Sequence, residues 1–354
     1  MRALVTGGGG FIGSRIAHTL HDRGDHVTAI GRRRYPHLET AGIHTIQGDL
    51  RDPATARRAC AGMDCVFHVA GVTGVWGPRS WFWGINVDAT QNVIDACRAA
   101  GVPRLVFTSS PSVVFGEHDV CGVDESHPYP PRYLAHYPAT KAEAERRVLA
   151  ANATPTTPTG PVLSTVALRP HLVWGPGDPH LIPRVVDRAR RGKLTQVGDG
   201  RNLVDITYID NAADAHILAA DALAPGAPCA GRAYFITQGQ PVRIWPWFRH
   251  ILAELGISPP KRTVSYNAAK RAGALLEATY RLLRRRREPI MTRFVASQLA
   301  KSHYFDISAA RRDLGYEPGV TTDDGVARLI AWLRHTPTTT APRDPQRFIY
   351  RENR

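Results

Sequence analysis

The chain has 354 residues, 43% of them hydrophobic, enough to bury one large α/β unit with a smaller lobe. Its five cysteines (Cys60, Cys65, Cys97, Cys121, Cys229) are odd in number and form no C-x-x-C pair, which points to a reducing compartment and away from disulfides or a metal site. The net charge of +14 comes without a zinc-finger, helix-turn-helix or RNA-binding signature, so nucleic acid is not an expected partner. No signal peptide is evident, and the least charged stretch, Cys65–Pro78, is too short and glycine-broken to span a bilayer, so a cytoplasmic location is expected.

Arg2–Thr6 reads as the first strand and Ser14–Arg23 as a helix, with four consecutive glycines, Gly7 to Gly10, near the start of the link between them. A strand that ends in so tight a turn before a helix presents free N–H groups and a positive dipole end to an anion. Gly8, Gly10 and Gly13 fit the spacing that cradles a dinucleotide pyrophosphate, and Gly7, Gly10 and Gly13 fit a wider variant. His26–Ile30 reads as the second strand, running into Gly31-Arg32-Arg33-Arg34. An NAD site usually places a carboxylate there for the ribose hydroxyls, whereas the guanidinium groups of Arg32 and Arg33 suit a 2′-phosphate and hence NADP. A solvated basic turn is the alternative.

Strands are expected at Thr45–Gly48 and Cys65–Ala70, with an alanine-rich helix from Pro53 between them. A helix at Val87–Ala100, a strand at Arg104–Thr108, a helix at Tyr137–Ala150 and a strand at Thr165–Leu168 follow, with Ala151–Pro161 as an exposed Pro/Thr-rich connector. The alternation predicts an α/β fold, a Rossmann-type doubly wound parallel sheet with a smaller C-terminal substrate lobe. Residues 1–175 are assigned mainly to the NADP-binding domain and 176–335 mainly to the substrate lobe with some returning sheet elements; 336–354 read as an unpacked tail.

Tyr137 and Lys141 stand at i, i+4 and share one helix face. A phenol with a pKa of about 10 is a poor proton shuttle, but a nearby ammonium favours the phenolate and lowers that value by roughly two or three units. Thr108-Ser109-Ser110 ends a strand at the carboxyl edge of the sheet, where a hydroxyl can hold a reacting oxygen. Each pattern alone also fits a bland reading, a helix surface or a strand-end turn.

Together these stretches resemble the extended short-chain dehydrogenase/reductase family, from Met1 to about Arg334. The glycine run, Gly48-Asp49-Leu50, His68-Val69-Ala70-Gly71, Asn86-Val87, the serine cluster, Tyr137/Lys141 and Leu168-Arg169-Pro170 come in that family's order. The resemblance implies Tyr137 as acid–base, Lys141 on the nicotinamide ribose and the tyrosine pKa, and Ser110, rather than Ser109, on the substrate oxygen. It implies a cofactor cleft built from Gly7, Gly10, Phe11, Ile12, Gly13, Asp49, Leu50, Ala70, Gly71, Asn86, Thr108, Pro170 and Leu172, with Arg32 and Arg33 at its basic turn.

Valine at position 204, after Gly198-Asp199-Gly200, replaces the arginine that clamps the phosphate in nucleotide-sugar epimerases, which disfavours that substrate class. Gly74–Pro78, Trp174–Asp178 and Lys301–Pro318 are similar to the 3β-hydroxysteroid dehydrogenase branch, and Asp95–Arg98, Leu203–Ala213 and Ala233–Ile236 look closest to bacterial 2-alkyl-3-oxoalkanoate reductases of olefin biosynthesis. That resemblance implies NADPH-dependent reduction of a β-keto group. The alternative is a 3β-hydroxysteroid or sterol-4-carboxylate dehydrogenase; a non-catalytic NADP sensor conflicts with an intact Tyr/Lys/Ser set. The substrate is thus a large apolar keto acid or a sterol. Trp76 and the run Trp81-Phe82-Trp83 suit the wall of a hydrocarbon tunnel or, equally, a core cluster under a loop. His171, Arg184 and Arg201 are candidate cations for a substrate carboxylate. The helix expected over Asn267–Arg287 pairs leucines with a basic side and an arginine run, which fits an anionic membrane surface, a partner enzyme, or a lobe helix complementing its own dipole. A homo-oligomer is expected.

Overall fold

The computed structural model describes residues 1–155, 161–285 and 287–335. Seven parallel strands form the central sheet in the order Arg232–Ile236, Val162–Pro170, Arg104–Thr108, Cys65–His68, Arg2–Thr6, His26–Gly31 and His44–Gln47. The chain adds strands outward in both directions from Arg2–Thr6, so the strand order reverses between Arg2–Thr6 and Cys65–His68. In such sheets the crevice beyond the carboxyl ends at that reversal is where ligands bind.

Helices cover both faces, and this is why the inner strands read as unbroken apolar runs. Phe11–Asp22 packs with Ile209–Ala222 on one side, while Pro53–Cys60, Ala89–Ala100 and His136–Ala150 pack on the other. Leu4, Val5, Val66, Phe67, Val106 and Phe107 are fully buried between these layers.

Several boundaries differ from the sequence reading for identifiable reasons. The first helix begins at Phe11 instead of Ser14, because Gly10 itself occupies the N-cap in extended backbone. The helix expected from Val87 starts as early as Arg79, through an α-helical turn Arg79–Trp83 and a π-helical turn Gly84–Asp88, before Ala89–Ala100. The strand expected to reach Ala70 ends at His68, where the chain turns to face Gly7. Part of the connector read as exposed is in the fold: Thr154–Pro155 pair antiparallel with Val162 and Leu163, which extends that strand to Val162–Pro170. The remainder of the connector, 156–160, and the tail 336–354 lie outside the described residues.

A second, four-stranded sheet runs Val242–Arg243, Leu203–Val204, His303–Phe305, Val120–Val123. Val120–Val123 comes from the first half of the chain, whereas Arg232–Ile236 returns from the second half to the edge of the central sheet. The two sheets meet where Phe235 stacks on Phe305 at 4.2 Å. Trp174, Tyr208, Trp245, Trp247 and Phe248 form the core of the smaller lobe.

Candidate active site

The first part of the site is the turn after Arg2–Thr6. Gly7 takes φ +66°, and its N–H donates to the carbonyl oxygen of Ile30 at 2.8 Å. A Cβ there would stand 2.9 Å from Cα of Ala70, and one on Gly13 would stand 2.4 Å from the carbonyl oxygen of Gly7, so neither position admits a side chain. Gly10 caps the helix without a side-chain acceptor, and no acidic residue sits in the first turn. The amides and dipole end at Phe11 and Ile12 therefore meet no protein anion from the cap, and the cradle fits a pyrophosphate.

Arg32 and Arg33 follow Gly31 on the exposed rim. The Arg32 and Arg51 guanidinium carbons lie 5.3 and 5.6 Å from the Trp81 ring. Asp49 is engaged by Arg51, accepting its backbone N–H at 2.9 Å and its guanidinium at 2.5 Å, while Leu50 is buried beside it.

The second part lies at the carboxyl ends of the strands. Lys141 Nζ donates to the carbonyl oxygen of Thr108 at 2.5 Å and sits 4.1 Å from the Phe107 ring centroid. Burial lowers its pKa to about 7, with the Glu145 carboxylate pulling the other way. One turn earlier, Tyr137 is half-buried; burial pushes its phenol up and the Ser110 hydroxyl opposes the rise. In the protein alone burial thus outweighs any lowering of the phenol by Lys141. Helical spacing puts both side chains on one face, but in the protein alone the ammonium is held by the strand-end carbonyl.

Ser110 Oγ accepts two hydrogen bonds from Ser112, from its N–H at 3.2 Å and its hydroxyl at 2.9 Å. Ser109 is buried, and it is the Ser110 hydroxyl that acts on the Tyr137 phenol, so of the two serines Ser110 is the one set beside Tyr137. The Thr108 hydroxyl points away from the cleft onto His216 Nε2 at 2.8 Å, so Thr108 serves the site through its carbonyl. Asn86 is likewise occupied: its amide bonds both backbone groups of Val72, at 2.8 and 3.1 Å, and Thr140 Oγ1 at 3.0 Å. It fastens the Gly71 loop to the Tyr137 helix. Gly71 lies against both Asn86 and Lys141. At the edge of the cleft, after Pro170, Leu172 holds φ +39°, a strained backbone for a branched residue.

Residues 4–266 match the 3-beta hydroxysteroid dehydrogenase/isomerase family. The chain belongs to that family. It is 50% identical to the 2-alkyl-3-oxoalkanoate reductase of Shewanella oneidensis over 332 residues, 94% of this chain and 86% of that protein. A protein of the same name from Stenotrophomonas maltophilia is 49% identical over 334 residues, covering 94% and 99%. Among solved structures, MoeE5 in complex with UDP-glucose and NAD superposes with a TM-score of 0.73 at 30% identity, covering 94% of this chain and 99% of that one. The chain is an oxidoreductase of the nicotinamide-dependent class.

The residues this family member was expected to offer a substrate are scattered by the fold. Trp76 donates Nε1–H to the carbonyl oxygen of Arg285 at 3.1 Å and meets Tyr280 edge-on at 6.1 Å. The three consecutive aromatics point three ways: Trp81 toward Arg32 and Arg51, Phe82 into the core, and Trp83 under Arg79 at 4.6 Å, so they do not form one wall. His171 is buried, its Nδ1 against the carbonyl oxygen of Asp205 and its Nε2 3.0 Å from His303 Nδ1. Burial and the neighbouring His303 hold it neutral, so it is not the cation proposed for a carboxylate. Arg184 is exposed, 3.6 Å from Glu288, and Arg201 is exposed on the turn after Asp199. Val204 is buried in a strand between Val242 and His303, and its apolar side chain supplies no cation at that position. Among the described residues no cluster of side chains could hold a metal ion.

Two supporting elements escaped the sequence reading. Ser112 carries no motif. Glu145, four residues beyond Lys141 on the same helix face, is fully buried and forked by Arg169 at 2.7 and 3.0 Å, with the Tyr129 hydroxyl donating at 2.6 Å. The i, i+4 spacing from Lys141 was the available signal.

Proposed function

We propose that this chain reduces the β-keto group of a 2-alkyl-3-oxoalkanoate to the 2-alkyl-3-hydroxyalkanoate with NADPH, as a step toward long-chain olefins. The chemistry rests on one observation: Tyr137, Ser110 and Lys141 converge at the carboxyl ends of the parallel strands, beside a glycine cradle shaped for a pyrophosphate. The substrate class is supported by the likeness, at about half identity over nearly the whole chain, to two reductases named for it.

When bound, the nicotinamide supplies the hydride that the carbonyl carbon accepts. Ser110 donates a hydrogen bond to the substrate oxygen, its own acceptor positions being filled by Ser112. Tyr137 gives its proton to that oxygen as negative charge develops, and Lys141 stabilises the resulting phenolate. Lys141 also faces the Gly71 side of the cleft, where it would hold the ribose. Arg32 and Arg33 would hold the 2′-phosphate.

The helix Tyr266–Leu282 ends before the arginine run, since Arg284 takes φ +48°, and Leu275, Leu282 and Leu283 are exposed. Contact with an anionic membrane surface or a partner enzyme fits this face; among the described residues no helix is long and apolar enough to cross a membrane.

The deciding experiment is a panel assay with NADPH and NADH against a 2-alkyl-3-oxo acid, a 3β-hydroxysteroid and a UDP-sugar. Turnover of the oxo acid with NADPH is expected. NAD-linked oxidation of the steroid with no turnover of the oxo acid would overturn the reading.

A further inference from the structure

Tyr35 belongs to none of the motifs that mark the cofactor cleft, yet its side chain stands inside it. The ring bridges the glycine loop and the end of the second strand. A Cβ on Gly9 would fall 2.0 Å from its Cε1, and one on Gly31 would fall 2.1 Å from its hydroxyl oxygen. The residue is held there from its backbone, whose carbonyl accepts the N–H groups of Leu38 at 2.9 Å and Glu39 at 3.2 Å to start the short helix Pro36–Thr40. His37 lies edge-on to the ring at 6.1 Å.

Two chemical consequences follow. Position 31 is where an NAD-type site grows a carboxylate toward the adenosine ribose. Here the phenol oxygen already fills the space that the first carbon of such a side chain needs, so glycine and tyrosine are two halves of one arrangement. Burial raises the phenol's pKa against the pull of Arg33 and Arg32, so at neutral pH the group is an uncharged donor. A donor placed among guanidinium groups complements a phosphate, to which its hydrogen bond is charge-assisted and stronger than the neutral one it can make to a bare ribose hydroxyl.

We propose that Tyr35 is a specificity-determining residue for the cofactor, excluding an acid from position 31 and donating a hydrogen bond to the 2′-phosphate alongside Arg32 and Arg33. The inference rests on the NADP preference proposed above.

The test is calorimetric binding of 2′,5′-ADP and 5′-ADP, fragments that report on the pocket without turnover. The wild-type protein should prefer 2′,5′-ADP, and Tyr35→Phe should weaken that fragment about tenfold while leaving 5′-ADP unchanged. Gly31→Asp alone should gain nothing for 5′-ADP, whereas Gly31→Asp with Tyr35→Ala should bind it more tightly than Gly31→Asp does. Thermal melts confirm that each variant is folded. A preference undiminished by Tyr35→Phe, or a gain from Gly31→Asp alone, overturns the role of Tyr35. Equal binding of both fragments by the wild-type protein overturns the NADP reading itself, and Tyr35 with it.

Discussion

Ser112 donates twice to Ser110, through its amide at 3.2 Å and its hydroxyl at 2.9 Å. A serine oxygen has two acceptor positions, so both are used and the Ser110 proton is directed outward to the phenol or the substrate. Ser112→Ala is expected to lower kcat roughly five-fold, the worth of one hydrogen bond of about 1 kcal/mol, with the Michaelis constant for cofactor unchanged. Ser112→Thr should restore most of the loss. Steady-state kinetics that separate kcat from KM check this; an unchanged kcat in the alanine variant refutes the relay.

Tyr137→Phe keeps the ring and removes the proton, so turnover should fall by roughly 10²- to 10⁴-fold with cofactor binding intact by fluorescence titration. Lys141→Ala should damage both, because it removes the proposed ribose contact and the ammonium that donates to the Thr108 carbonyl. Near-normal turnover by the phenylalanine variant would remove Tyr137 from the mechanism.

Cofactor choice gives a third measurement. NADPH should be preferred over NADH by at least about tenfold in kcat/KM, roughly 1.4 kcal/mol. Replacing Arg32 and Arg33 together by alanine should raise the NADPH Michaelis constant and leave that for NADH nearly unchanged.

Stability should fall in mild acid. Burial lowers the pKa of His68 to about 3 and those of His180, His216 and His303 to about 4, below an ordinary histidine value of about 6.5. Between those limits the unfolded chain binds protons that the native chain refuses, so stability is fully present above pH 6.5 and is lost as pH falls toward 4. Asp205 runs the other way: burial raises it to about 7, so the native carboxyl keeps a proton that the unfolded chain has released. Burial also raises Glu125, Asp178 and Asp214 and lowers His18, His136 and His171, so the imidazoles pushed down outnumber the carboxyls pushed up, and the urea midpoint should drop between pH 7 and pH 5. Asp205→Asn should steepen that drop.

The strands Arg2–Thr6 and Arg104–Thr108 were legible to the residue, because apolar runs buried on both faces stop at glycine or serine. Tyr137, Lys141 and Ser110, the catalytic set proposed above, were read together because family order ties them. The Arg79–Trp83 turn was not, since aromatics in succession carry no helical period. Val120–Val123 was missed because a short strand is defined by its partner, here His303–Phe305, far along the chain. His171 read as a free cation for the same reason: His303, which occupies it, is 132 residues away.

The exchange of strands between the two sheets governs what happens when the backbone is cut. A break at 175/176 would give two fragments, each missing a strand of the sheet to which most of it belongs, and each carrying an orphan ladder edge meant for the other. Co-expressed halves are expected to reassemble into one working enzyme, while either half produced alone should aggregate through its unpaired edge.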